Sequence, residues 1–251
     1  MSTTTLATDT ATVFTRELRP MLRDPFSVFF SMIQPLVFLG LFAPLLPDTV
    51  NGQSALQWFV PGIIVMSCLM GSSMTGSNLQ FEIQTGAHER MLVTPLRRPA
   101  LMIGRALKEI VPMIAQALVI VAVTMPFGFD LHLAGVVPGL LILALFCVGV
   151  GALSYTLALA AKNQEWLFWT VQQTLLFPVL LLAGMLLPVE GGPGWLQAMS
   201  KFNPLTYVVN AERELFNGEI VSSTVLYGVI AAAAVAALGL IVGSRAMRRS
   251  S

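Results

Sequence analysis

Six long runs of apolar residues alternate with polar gaps along this chain, and their lengths decide what they are. They cover residues 26–46, 58–79, 110–129, 134–161, 167–188 and 220–243, and none contains Asp, Glu, Lys, Arg or His. A bilayer core about 30 Å thick is crossed by roughly 20 helical residues, and a helix satisfies its own backbone in lipid. The pattern predicts an all-α integral membrane protein with six transmembrane helices.

The gaps carry patterns of their own. Within 1–25, Val13, Phe14, Leu18, Met21 and Leu22 are interleaved with Arg16, Arg19 and Arg23, which predicts a surface-lying amphipathic helix bent at Pro20. A basic tail that only sets topology is the alternative. The gap 80–109 holds Arg90, Arg97, Arg98, Arg105 and Lys108, five of the fourteen basic residues. There Gly86 ends an extension of the second run, 87–93 forms a short helix that Pro95 stops, and a further helix starts at Pro99. His88, Glu89, Arg90 and Met91 then make a mixed charged and apolar knob suited to docking on a soluble protein. A solvated loop with topogenic arginines is the simpler reading.

In the gap 189–219, Asn203 caps a helix with Pro204 at its first position, and Asn217 with Gly218 closes it. Leu205, Val208, Val209, Leu215 and Phe216 form its apolar stripe, with Asn210, Arg213 and Glu214 among the polar positions. Such a helix lies along the membrane or dips back into it.

Charge sets the orientation. Twelve of the fourteen Lys and Arg residues fall on the side that holds both termini and the gap 80–109; only Lys201 and Arg213 fall on the other. The positive side faces the cytoplasm, so both termini, the gap 80–109 and the tail 244–251 are expected there and 189–219 outside. Trp58, Trp166 and Trp169 lie near run ends, where indole rings suit the headgroup level.

Composition agrees: 55% of residues are hydrophobic and 11% charged, against about 25% charged in a soluble domain. The basic residues flank apolar runs and form no patch for nucleic acid. Cys68 and Cys147 sit mid-run as small hydrophobes. Residues 1–25 lack the apolar core of a cleavable signal peptide.

Inside the runs, Gln34 with Pro35, and Gln172 and Gln173 with Pro178, predict kinked helices. Gly149, Gly151, Gly239 and Gly243 predict close helix packing. Met66, Met70 and Met74 share one helical face, which suits either varied apolar ligands or ordinary packing. Ser154 reads as a hydroxyl bonded to its own helix. No constellation of nucleophile, base or metal ligand is recognisable: His88 and His132 lie in opposite gaps and no HExxH occurs. No GxxxxGK[ST] phosphate loop occurs either. Catalytic, metal-binding and cofactor-binding residues are therefore expected to be absent, and any ATP would be handled by another polypeptide.

At the stretches EIQTGAHERMLVTPLRRPALMIGR and NPLTYVVNAERELFNG, set among six uncharged runs, the chain resembles the ABC-2 type transporter permeases, particularly their daunorubicin-resistance branch. The resemblance covers nearly the whole chain as a single transmembrane domain. It implies a homodimer paired with two ABC ATPase subunits, which bind the ATP and Mg. It assigns Glu82, Gly86, His88, Glu89, Arg90, Met91, Leu92, Thr94 and Pro95 to a coupling stretch that docks on the ATPase. Asn203, Pro204, Leu205, Tyr207, Arg213 and Gly218 match the outer motif. A substrate path between the second and fifth spans would use Met66, Met70, Met74, Gln173 and Phe177. Ala87 and His88 depart from the family pattern, so the docking surface is expected to differ there.

The combined expectation is a multi-pass bacterial inner-membrane permease, not itself an enzyme, that exports amphiphilic drugs or antibiotics, in contact with membrane lipids and with no nucleic-acid partner. The alternatives are a permease of the same family for a polysaccharide or lipid-linked glycan, and a scaffold or pore without an ATPase.

Overall fold

A computed structural model describes residues 5–249 except 48, 51, 95 and 163. Eleven α-helices are described: α1 (Leu6–Arg23), α2 (Pro25–Phe42), α3 (Ala55–Gln84), α4 (Ala87–Leu92), α5 (Arg98–Lys108), α6 (Ile110–Thr124), α7 (Leu133–Ala160), α8 (Glu165–Leu182), α9 (Gly194–Phe202), α10 (Pro204–Phe216) and α11 (Ser223–Arg249). The only strands among the described residues are a two-residue antiparallel pair, Thr49–Val50 with Gln53–Ser54.

The six apolar runs form α2, α3, α6, α7, α8 and α11. Four helical stretches, Ala55–Gln84, Arg98–Phe127, Leu133–Ala160 and Ser223–Arg248, are by themselves long and apolar enough to cross a bilayer. The remaining two, α2 and α8, have 18 residues each and reach about 27 Å at 1.5 Å per residue. The run expected to continue to 188 stops at Leu182 because Gly184 takes φ +66 and its N–H closes on Leu181 O at 3.2 Å. α3 continues past the apolar run's end at 79 to Gln84, the extension expected before Gly86, carrying the chain beyond the apolar zone before α4 begins.

The helix starts follow from local chemistry. Ser54 Oγ accepts Gln57 N–H at 3.2 Å to open α3, and Asn203 Oδ1 accepts Leu205 N–H at 3.1 Å to open α10. Each satisfies an amide that has no partner within its own helix.

α7 packs between α3, α10 and α11. A Cβ on Gly149 would stand 2.6 Å from Ala236 N, and one on Gly239 would collide with Gly149 O. The small residues therefore let α7 and α11 meet backbone to backbone within one subunit. Phe59, Ile63, Leu143, Leu205 and Leu215 belong to the larger apolar core; Leu79, Met91, Leu101, Tyr155 and Phe168 form a second at the α4 end. α1 closes this end as an amphipathic helix. Val13 is buried against Gly104 of α5, and buried Asp9 accepts Arg97 N–H at 3.1 Å. Phe26, Phe29 and Phe30 on α2 and Leu226 and Ile230 on α11 remain exposed, as lipid-facing side chains are.

Candidate functional site

The gap after α3 is ordered by one glycine and one arginine. Gly86 takes φ +68, a left-handed conformation natural to glycine, and so turns the chain out of α3 into α4. Arg90 Nη2 donates to Thr85 O at 3.4 Å across this turn. At the far end Thr94 Oγ1 donates to Met91 O at 2.6 Å. Pro95 lies outside the described residues, and Leu92 is described only as backbone at the end of α4.

The expected four-residue knob divides in two. His88 and Met91 are buried, and the outward face of α4 carries Glu89 and Arg90, followed by Val93 at 86% exposure. Burial, helped by the nearby charges of Arg105 and Lys162, pushes the His88 imidazole down to about 4. It is therefore neutral near pH 7. Glu89 meets Lys162, from the turn after α7, at 3.6 Å. In an exposed setting that contact is worth little.

Beneath α4 lies Arg105 of α5, 4% exposed. Its Nη2 pairs with Glu82 at the end of α3 and donates to Met91 Sδ of α4 at 3.6 Å. Its Nε lies 3.6 Å from Glu17 of α1, and its guanidinium carbon 5.6 Å from the ring centroid of Tyr155 on α7. One side chain thus ties α4 to four other helices. Glu82 faces into this joint; burial raises its carboxyl above the ordinary range although Arg105 pulls it down. Arg105, Glu17, Tyr155 and Val93 are not among the residues picked out by the sequence pattern. Only the concentration of charge in 80–109 hinted at the first.

The outer motif is a second organised region. α10 dips among the spans: Leu205 is buried beside Leu69 and Phe146, deep in α3 and α7, while Phe216 O accepts Gln57 Nε2 at 3.1 Å near the start of α3. Asn203 Nδ2 donates to Val179 O of α8 at 2.7 Å, and Pro204 holds the first position of α10. Tyr207 Oη donates to Lys201 O at 2.8 Å, and Gly218 takes φ +89 against the His132 ring.

Arg213, expected on a polar face, is 8% exposed; Nε donates to Trp58 O at 3.0 Å and Nη2 to Gly184 O at 2.7 Å. Trp58, expected at the headgroup level, is 2% exposed beneath that guanidinium. Glu212 is fully buried, with no hydrogen bond to either carboxylate oxygen among the described residues. The six apolar runs are uncharged, yet α10 places two ionisable residues among them. Ser154 is likewise corrected: its hydroxyl donates across to Ser73 O of α3 at 2.6 Å and accepts Gly76 N–H at 3.2 Å.

Of the expected path residues, Met66 is buried at 1% exposure, Met70 is partly buried, and Met74, Gln173 and Phe177 are exposed. Met66 thus belongs to the core at the buried end of the methionine face.

Comparison with known proteins places this architecture. The chain is 27% identical over 218 residues to the daunorubicin resistance ABC transporter permease protein DrrB1 of Streptomyces coeruleorubidus, covering 85% of this chain and 77% of that one. It is 24% identical over 210 residues to DrrC of Mycobacterium tuberculosis strain H37Rv, described as a probable doxorubicin resistance ABC transporter permease protein, covering 81% and 75%. It is 27% identical over 166 residues to YbhR of Escherichia coli K12, described as a probable multidrug ABC transporter permease, covering 64% and 44%. The family model for the ABC-2 type transporter matches residues 8–217, from α1 to the end of α10, and the chain belongs to that family.

Proposed function

We propose that the chain is the non-catalytic permease subunit of an ATP-driven exporter of amphiphilic compounds in a bacterial inner membrane. It would work as a homodimer with two ABC ATPase subunits that bind ATP and Mg, and with α4 and both termini in the cytoplasm. The observation that carries this is the build of α4. Its outer face offers Glu89, Arg90 and Val93 to a partner, while its inner face is locked through Met91 to Arg105 and thence to α1, α3 and α7. A surface helix held this way transmits displacement to the spans instead of absorbing it. Closure of the ATPases on ATP would press on α4 and tilt α3 and α7 through Arg105.

The names of DrrB1, DrrC and YbhR, with their drug-resistance and multidrug descriptions, support an amphiphilic drug or antibiotic as cargo. A path past Met70 and Met74 on α3 and Gln173 and Phe177 on α8 fits the exposure of Met74, Gln173 and Phe177 in this reading.

Co-expression with the candidate ATPase and co-purification tests it. Glu89→Lys combined with Arg90→Glu is expected to abolish recovery of the ATPase with the permease and to leave permease yield unchanged. A pair that co-purifies equally well despite both substitutions sinks the docking assignment. ATPase stimulation in reconstituted complex by glycans and by none of a drug panel would redirect the cargo.

A further inference from the structure

A cavity of about 150 Å³ lies between α2, α3 and α6, where the chain comes out of α1. It shares Met74 with the proposed path and includes none of the path residues of α8. Its chemistry is one-sided. Ser67 Oγ donates to Ile63 O at 2.9 Å and Ser72 Oγ to Cys68 O at 2.7 Å, so both hydroxyl protons are committed to α3 itself. What these serines can offer the cavity is lone pairs.

Glu109, 6% exposed, stands at the junction of α5 and α6. Lys108 Nζ at 3.0 Å and Thr75 Oγ1 at 3.5 Å both approach its Oε1. Gln116 donates to Ser31 Oγ at 2.8 Å on the α2 side. Met74 and Met113 supply an apolar, polarisable wall.

The void is kept open by Gly71. A Cβ built there meets nothing within 4 Å, although the residue stands mid-helix, where glycine costs about 1 kcal/mol relative to alanine. A half-open cavity rich in acceptors, with the buried Glu109 carboxylate on its wall, is suited to a hydrogen-bond-donating cation. Its size takes a head group and a few carbons, with the remainder left in the bilayer.

We propose that this cavity binds the primary or secondary ammonium head of an amphiphile. The Glu109 carboxylate and the Ser67 and Ser72 oxygens accept its N–H groups, and Met74 and Met113 contact the first methylenes. Calling that amphiphile cargo rests on the exporter reading; the binding site does not. An ammonium could also come from phosphatidylethanolamine, and the test separates the two sources.

Equilibrium binding of radiolabelled dodecylamine to the full chain in phosphatidylcholine nanodiscs, with empty nanodiscs subtracted, reads the site. Saturable binding is expected that dodecanol does not displace. Gly71→Leu, which fills the void, and Glu109→Gln, which removes the charge, should each weaken it about tenfold or more, as loss of one charge-assisted hydrogen bond does. Gly40→Leu is the control, because a Cβ at Gly40 of α2 also meets nothing within 4 Å but lies outside the cavity. Should Gly71→Leu fail to fold, Glu109→Gln alone decides the matter. Unchanged affinity in the folded cavity variants overturns the proposal. Displacement by phosphatidylethanolamine overturns its assignment to cargo. No ATPase is present, so failure here leaves the exporter reading standing, and failure of ATPase co-purification leaves this site standing.

Discussion

The guanidinium carbon of Arg213 lies 3.8 Å from the centroid of the Trp58 ring, and its Nε donates to the backbone carbonyl of the same tryptophan. One residue of the dipping helix α10 is thereby held on the first turn of α3 by a cation–π contact and a charge-assisted hydrogen bond, with a second such bond to Gly184 O. Buried away from water, such contacts are worth far more than their surface counterparts. Arg213→Ala should destabilise the protein by about 3 kcal/mol or more. Arg213→Lys should recover only part of this, because one ammonium cannot stack and bond in the same fork geometry. Unfolding in a denaturing-detergent titration reads both.

Next to it, Glu212 behaves in the opposite sense. Both oxygens are buried without hydrogen bonds among the described residues, so the carboxyl costs stability where it stands. Glu212→Met, of similar volume, should raise stability by about 1–3 kcal/mol. A fall in the unfolding midpoint would show that an interaction at Glu212 is being lost.

Arg105 makes a prediction about motion. Arg105→Ala leaves Glu82 and Met91 without the group that joins them. Amide hydrogen exchange over 86–94 should accelerate by about tenfold or more, since loss of a buried charge pair costs several kcal/mol. If exchange there stays at the wild-type rate, α4 is held by something other than this joint.

His88 gives a pH window. Its imidazole is lowered from 6.5 to about 4 in the folded protein. The unfolded chain therefore binds the proton first as pH falls. The His88 contribution is complete above about pH 6.5 and is lost progressively as pH drops toward 4. The stability of the wild type should fall across that range more steeply than that of His88→Phe. Parallel curves would show that His88 is not the titrating group.

Val93 separates docking from stability. At 86% exposure it contributes nothing to the core, so Val93→Asp should leave the unfolding midpoint within about 0.5 kcal/mol of wild type while weakening ATPase co-purification. Equal recovery of the ATPase would remove Val93 from the docking face.

Much of this molecule is legible from one-dimensional pattern because lipid imposes a local rule. A segment must be apolar, long enough and self-satisfied in hydrogen bonding, and those are properties of consecutive residues. The six helices, the Asn203–Pro204 start of α10 and the glycine turn before α4 follow from this. So does the close packing of α7 on α11, because Gly149 and Gly239 announce a lack of side chain wherever they are placed. Direction is harder to read. His88 and Glu89 are neighbours with similar polarity, yet one faces Arg105 and the other the outside, since a two-turn helix has no periodicity long enough to fix its rotation.

The sequence by itself determined that the chain is a six-span helical membrane protein with a charged joint after the second span and a capped helix before the last. Only the tertiary structure decided that this last helix enters the bundle, carrying Glu212 and Arg213 into an interior from which every apolar run excludes charge. For Arg213 the physical reason is that partners far apart in the chain meet the cost of its burial. Trp58 and Gly184 receive Arg213 as Glu17, Glu82 and Tyr155 receive Arg105, and no local pattern records which distant residue will arrive.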